Sequence, residues 1–188
     1  MVVIVIVAIS IALALPSWRE SIERRHVVSG AEQIASFISF ARGEAIKRGQ
    51  EVTVTWQSDG GHDEDWCIGL NLGTTECDCM ETDPTDSDFC EIDDAPQRLI
   101  QSDFVDMDFE FFHAADNDSS FTFDPVRGLI TNNEAGLFTS SYMFYLHNDM
   151  KISGQRLYEL QIRINRTGRI NICADDDRRS TIGGYEEC

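Results

Sequence analysis

Basic residues are scarce in this sequence, and most of all in its middle. Lysine and arginine together number 15 against 33 aspartates and glutamates, a formal net charge of −18. Between Asp59 and Asp118 nineteen acids face the single base Arg98, so this window alone carries −18 and the remainder is close to neutral. Such a field repels nucleic acid and anionic lipid over about a Debye length, although bases clustered elsewhere can still act locally. Catalytic signatures are also missing: there is no G-x-S-x-G, no H-E-x-x-H and no glycine-rich phosphate loop. His26, His62, His113 and His147 are scattered, as surface or core histidines usually are. The chain offers no candidates for an enzyme's nucleophile, base or cofactor site, so a non-enzymatic protein without a cofactor is the expectation.

Cysteine is absent from the first third of the chain. The six that exist, Cys67, Cys77, Cys79, Cys90, Cys173 and Cys188, lie beyond an apolar N-terminal segment, a setting that favours disulfides in an oxidising compartment. Zinc is the rival reading, but Cys77-Asp78-Cys79 is not a C-x-x-C knuckle and the other gaps do not repeat as paired ligands would. Sequence alone selects no pairing. Cys173 with Cys188, closing a C-terminal loop, is the expected pair, with the other four joined among themselves. Asp106, Asp108, Asp116 and Asp118 are hard oxygen ligands of the kind calcium takes, yet their spacing is not that of an EF-hand. A solvated acidic face is the simpler expectation, and no metal site is assigned. Asp175-Asp176-Asp177 beside Arg178-Arg179 reads as a soluble loop.

No apolar run reaches a comfortable membrane span. Met1 to Leu15 is apolar apart from Ser10, about five residues short of the roughly 20 that cross a bilayer core. The basic leader and small-residue cleavage site of a signal peptide are absent as well. Beyond Leu15 the chain continues as helix: Trp18, Ile22, Ala31, Ile34, Ala35, Ile38, Ala41 and Ala45 recur at steps of three and four among charges suited to a solvated face, and the pattern stops at Gly49. Pro16 removes one backbone hydrogen bond and predicts a kink. The expected division is a membrane half over 1–15, an amphipathic half over 16–49 and a β-rich globular domain over 50–188.

Past Gly49 the period changes to two. Val52, Val54 and Trp56 alternate with Thr53 and Thr55 before the turn residues Ser58 to Gly61, and Trp66, Ile68, Leu70 and Leu72 alternate likewise. Residues 71–96 are acidic, hold three cysteines and read as a long disulfide-stapled loop. Phe104, Phe109, Phe111 and Phe112 suggest an edge strand, Phe121 to Phe123 and Met143 to Leu146 two more strands. Leu160, Ile162 and Ile164 turn at Arg166-Thr167-Gly168 and return through Ile170 and Ile172 as a hairpin. One long helix and then a series of short strands implies an α+β domain, an antiparallel sheet packed on the helix's C-terminal half.

The run MVVIVIVAISIALALP, its proline and the amphipathic half resemble the type IV pilins and type II secretion pseudopilins, which begin with a motif close to F-T-L-I-E-L-M. Within that superfamily, A-R-G-E-A-I-K-R-G-Q at the helix end, W-C-I-G at 66–69, F-D-P-V-R-G at 123–128 and G-R-I-N-I-C at 168–173 with G-Y-E-E-C are similar to the GspH/FimT branch. The resemblance implies the pilin-like fold and a minor pilin or pseudopilin role. It also implies an inner-membrane, single-pass subunit with a periplasmic domain, whose partners are lipid and other subunits met through the N-terminal helix. By the same resemblance about six mature residues and a basic leader are expected ahead of Met1. Arg19, Arg24 and Arg25 would by the positive-inside rule place their end in the cytoplasm; the cysteines argue for the oxidising side.

Some FimT-type proteins bind DNA through a G-R-x-R motif. This chain keeps Gly168 and Arg169 but has Asn171 in place of the second arginine. Arg163, Arg166 and Arg169, with Arg178 and Arg179, are the weak phosphate-contact candidates, and the acidic window opposes them. Nucleic acid, as in natural transformation, is therefore not the expected partner, and a plain membrane-tethered periplasmic domain is the other alternative to a filament subunit.

Overall fold

The computed structural model describes residues 2–58, 65–105, 107–112, 119–131, 142–148, 151–152, 155–156, 158–176 and 182–188, without the side chains of 2–17, 111–112 and 151–157. Helix α1 (Val2–Arg48) is continuous past Pro16 and ends where Gly49 takes φ +65°. Among the described residues no helix is long and apolar enough to cross a membrane, and the side chains of the run 1–15 lie outside them.

The strands divide into two five-stranded sheets, where the sequence suggests one. The first joins β1 (Val52–Ser58), β2 (Trp66–Leu72), β5 (Arg98–Ile100), β7 (Ser120–Phe123) and β8 (Ile130–Thr131) in the order β5-β2-β1-β7-β8. The second joins β6 (Met107–Phe112), β9 (Tyr142–Asn148), β12 (Glu159–Ile164), β13 (Ile170–Ala174) and β14 (Glu186–Glu187) in the order β14-β13-β12-β9-β6. All pairings are antiparallel except β13 with β14. Two small hairpins, β3 (Glu91–Ile92) with β4 (Ala95–Pro96) and β10 (Lys151–Ile152) with β11 (Gln155–Arg156), complete the set.

The helix closes the core between the sheets. Val27, Ala31, Ile34, Ile38, Ala41 and Ala45, at steps of three and four, are fully buried, and α1 packs on β1 and β7 of one sheet and on β9, β12 and β13 of the other. Each buried isoleucine is worth about 1.5–3 kcal/mol of transfer free energy, while the three alanines let the backbones approach.

Aromatic rings join the sheets to each other. Trp56 of β1 lies 5.8 Å from Phe121, 5.7 Å from Tyr142 and 5.5 Å from Phe144, centroid to centroid. Trp66 of β2 stacks at 4.8 Å on Phe109 of β6, which stacks in turn at 5.2 Å on Phe144. Such separations are in the attractive range for ring pairs. Phe104 falls outside β6, after the short 3-10 turn Gln101–Asp103, and still packs at 5.0 Å on Trp66.

Candidate functional site

The strand alternation at 52–56 predicts one wet face, yet Thr53 and Thr55 are buried along with Val52, Val54 and Trp56. The cover is the acidic segment, which folds as a second layer on the outside of the first sheet. Cys67 is bonded to Cys79 and Cys77 to Cys90, and all four cysteines are buried as one cluster. Thr53 Oγ1 donates to the Gly73 carbonyl at 2.7 Å, and Thr55 Oγ1 accepts from Cys77 N at 3.4 Å. The motif W-C-I-G now has a mechanical meaning: Trp66 and Ile68 belong to the core, Cys67 turns outward to its disulfide, and Gly69 leaves room for the sulfurs. A Cβ at Gly69 would lie 2.3 Å from Cys90 Sγ and 2.9 Å from Cys79 Cβ.

Arg98, the lone base of the acidic window, fastens this layer from β5. One guanidinium nitrogen donates to the carbonyls of Cys79 and Glu81, and the group lies 5.5 Å over the Phe89 ring. From Thr82 to Asp88 the loop is exposed, its carboxylates capping its own turns: Asp83 accepts from Thr85 N at 2.9 Å and Thr85 Oγ1 at 2.7 Å, bonds that hold its carboxyl below the usual range. At the other end Arg48 makes a bidentate bond to Asp93 (2.7 and 2.5 Å) and reaches Glu44 at 2.5 Å, so helix end and loop share one ionic knot. Hydrogen bonds from Lys47 and Arg48 lower the Glu44 carboxyl, and Arg48 lowers that of Asp93.

Three of the sequence motifs meet in space at the distal end of α1. Arg42 Nε donates to the Gly128 carbonyl at 3.1 Å, and Ile130 N donates to the Arg166 carbonyl at 3.0 Å. Gly168, at φ +70°, lies so close that a Cβ on it would stand 2.4 Å from that same Gly128 oxygen. The F-D-P-V-R-G turn, the R-T-G hairpin turn and the helix arginine thus form one lock between the sheets. Asn165 Oδ1 organises the hairpin turn, accepting from Thr167 N, Thr167 Oγ1 and Arg169 N at 3.1, 2.6 and 3.0 Å.

The arginines put forward for phosphate contact divide: Arg163 is engaged within the second sheet, and Arg166 and Arg169 share one exposed turn. Arg163 is half-buried on β12, donating to Gln161 Oε1 and to the Cys188 carbonyl, with Asn171 opposite it in register. Arg166 and Arg169 are exposed on the hairpin turn, and Arg178 and Arg179 lie outside the described residues. The loop closed by the Cys173–Cys188 disulfide returns to the helix, burying Ile182 and setting the Tyr185 hydroxyl 3.5 Å from Glu32 Oε1. Asp175 and Asp176 are exposed on it, and Asp177 is outside the described residues.

Of the calcium candidates only Asp108 is described; it faces His147, with Oδ2 3.9 Å from Nδ1, while Glu110 Oε1 stands 3.7 Å from Nε2. Asp106, Asp116, Asp118, His62 and His113 lie outside the described residues. His26 sits half-buried on the helix. Among the described residues no three His, Cys, Asp or Glu side chains are grouped to hold a metal.

The helix's outer face completes the candidate surface. Trp18 is 69 % exposed and Phe40 42 %, and between them an open groove of about 530 Å³ is lined by Ser29, Glu32, Gln33, Ser36, Phe37 and, from β5, Leu99. Sequence reasoning misses the roles of Arg42, Gly69 and Arg98, although two of them lie inside the family-like motifs, because those roles arise only when distant segments meet.

Known proteins resemble this chain in sequence and in fold. The family model for the type II transport protein GspH matches residues 30–168, from the amphipathic helix through the hairpin turn. No curated protein matches the chain. Among solved structures, the type IV minor pilin FimU of Pseudomonas aeruginosa superposes with a TM-score of 0.50 at 17% identity, covering 81% of this chain and 91% of that one, a likeness of fold. The minor pseudopilin EpsH from the Type 2 Secretion System of Vibrio cholerae gives a TM-score of 0.45 at 10% identity, covering 81% of this chain and 97% of that one. With well over half of its length matched by the family model, the chain belongs to the GspH family.

Proposed function

We propose that this protein is a non-enzymatic minor subunit of a type IV pilus or a type II secretion pseudopilus, held in the inner membrane by 1–15 and carrying its domain, 50–188, in the periplasm. The observation that carries the reading is the two-faced helix: one stripe is sealed into the domain while the opposite one, with Trp18 and Phe40 exposed, is left bare in a chain of the GspH family. Apolar side chains on an otherwise charged helix favour burial against neighbouring helices, and the apolar run ahead of them suits lipid or a filament core. Three disulfides, with no free cysteine among the described residues, suit an oxidising compartment.

A photo-crosslinking amino acid at Trp18 or Phe40 in the native host tests this. Adducts with other pilin-like subunits are expected, together with loss of surface pili or of protein secretion in a deletion strain. A deletion that changes neither, with no subunit adducts, would overturn the reading; which phenotype emerges separates pilus from secretion system.

A further inference from the structure

We infer that the distal arginine surface, Arg127, Arg166 and Arg169 around Val126, docks the acidic disulfide-stapled loop of a second copy of this chain. The three arginines come from two segments that the lock at Arg42 holds together: Ile130 N bonds the Arg166 carbonyl at 3.0 Å, and Gly168, next to Arg169, abuts the Gly128 carbonyl, next to Arg127. All three are exposed, and among the described residues none of them makes an ion pair. Two described acids on the adjoining segments already have partners. Glu44 is held by Lys47 and Arg48, and Asp124 Oδ1 accepts from Val126 N at 3.0 Å and Arg127 N at 2.8 Å. In a chain of net charge −18, three exposed arginines thus stand together on this surface with no ion pair among the described residues.

Apolar area accompanies the charge. Val126 is 79 % exposed at the tip of its turn, and Ile46, 48 % exposed, reaches the same turn, its Cδ1 3.0 Å from where a Gly128 Cβ would be. Arginine beside aliphatic surface is the composition of a protein interface, whereas a single-stranded nucleic-acid site needs aromatic platforms, and neither of these two exposed apolar residues is aromatic.

Charge complementarity names the occupant. The exposed loop from Thr82 to Asp88 presents Asp83, Asp86 and Asp88 on a support fixed by two disulfides and by Arg98, so its carboxylates are held in place before contact. Basic surface and acidic loop are different patches of one molecule, so the contact made reciprocally closes a dimer and made in one direction builds a ring or a row. The overall repulsion between copies is screened beyond about 8 Å at physiological salt, which leaves the facing groups to decide.

The test uses the full chain in detergent at one chain per micelle, with self-association followed by sedimentation velocity at physiological salt. The wild type is expected to form concentration-dependent oligomers, which the triple variant R127E, R166E, R169E and, separately, D83K, D86K, D88K each weaken by about tenfold or more. Mixing the two variants should restore association, because each supplies the surface the other needs. A wild type that stays monomeric to near-millimolar concentration, or variants that do not rescue each other, overturns the proposal. So does an arginine variant that keeps its self-association but loses a duplex-DNA gel shift, which would assign the surface to nucleic acid. The inference stands apart from the filament reading, since it concerns the chain alone.

Discussion

Gly69→Ala isolates the stapled layer with a single methyl group. The added Cβ would come 2.3 Å from Cys90 Sγ, 2.9 Å from Cys79 Cβ and 3.1 Å from Cys77 Sγ. All three atoms belong to disulfide-bonded residues tied into a fully buried cluster, so none can swing away as the end of a flexible side chain would. Restoring ordinary contact requires the Cys90 sulfur to retreat by about 1 Å, and overpacking of this kind costs about 1–3 kcal/mol. For a chain of this size that corresponds to roughly 2–12 °C in Tm. The assay is thermal unfolding of the full chain in detergent, repeated with Cys77 and Cys90 both changed to alanine. Removing the two sulfurs opens the space, so in that background the Gly69→Ala penalty should shrink by about 1 kcal/mol or more, a coupling that independent sites do not show. An equal penalty in both backgrounds, or none with the disulfides intact, would refute the packing argument.

Three further outcomes are expected. Arg42→Met should cost about 1.5–3 kcal/mol through its half-buried charged hydrogen bond to the Gly128 carbonyl, and hydrogen exchange should quicken in 124–130 and 165–168 and not in β2. Ile38→Ala, at a fully buried position of the helix, should cost about 2–5 kcal/mol by chemical denaturation, whereas Ser36→Ala on the opposite, solvent-facing side stays within about 0.5 kcal/mol. The Glu44 and Asp93 carboxyls have folded-state pKa values below their unfolded ones, so they add stability above the unfolded values and lose it as pH falls through the folded ones. Tm should therefore drop from about pH 4 downward, and Arg48→Gln should flatten that drop in an acid melt series.

The helix, its end at Gly49 and the strands around Val54, Ile68, Phe144 and Ile162 are legible in the sequence because each has a hydrophobic period that needs no partner to be seen. The GspH relationship is legible for a similar reason, since its motifs are local. Hidden are the features that require two segments at once. Thr53 and Thr55 look like the wet face of a strand, and only the cysteines above them reveal a roof. The division into two sheets is invisible to periodicity, because an inward residue reads the same whichever sheet it serves. Arg42 is one charge among several on a helix, and nothing in its neighbours announces a carbonyl 86 positions away.

The order in which the strands enter the two sheets carries a last consequence. The chain lays β1, β2 and β5 in the first sheet, crosses to the second for β6, returns for β7 and β8, and crosses again for β9, β12 and β13. Neither sheet is a contiguous piece of sequence, so no cut can release one sheet whole and leave the other whole. A nick after Thr131 would strip the second sheet down to its edge strand β6, and a nick before Met107 would take β7 and β8 away from the first. The domain is woven, and its long-range pairings make both sheets form and fail together.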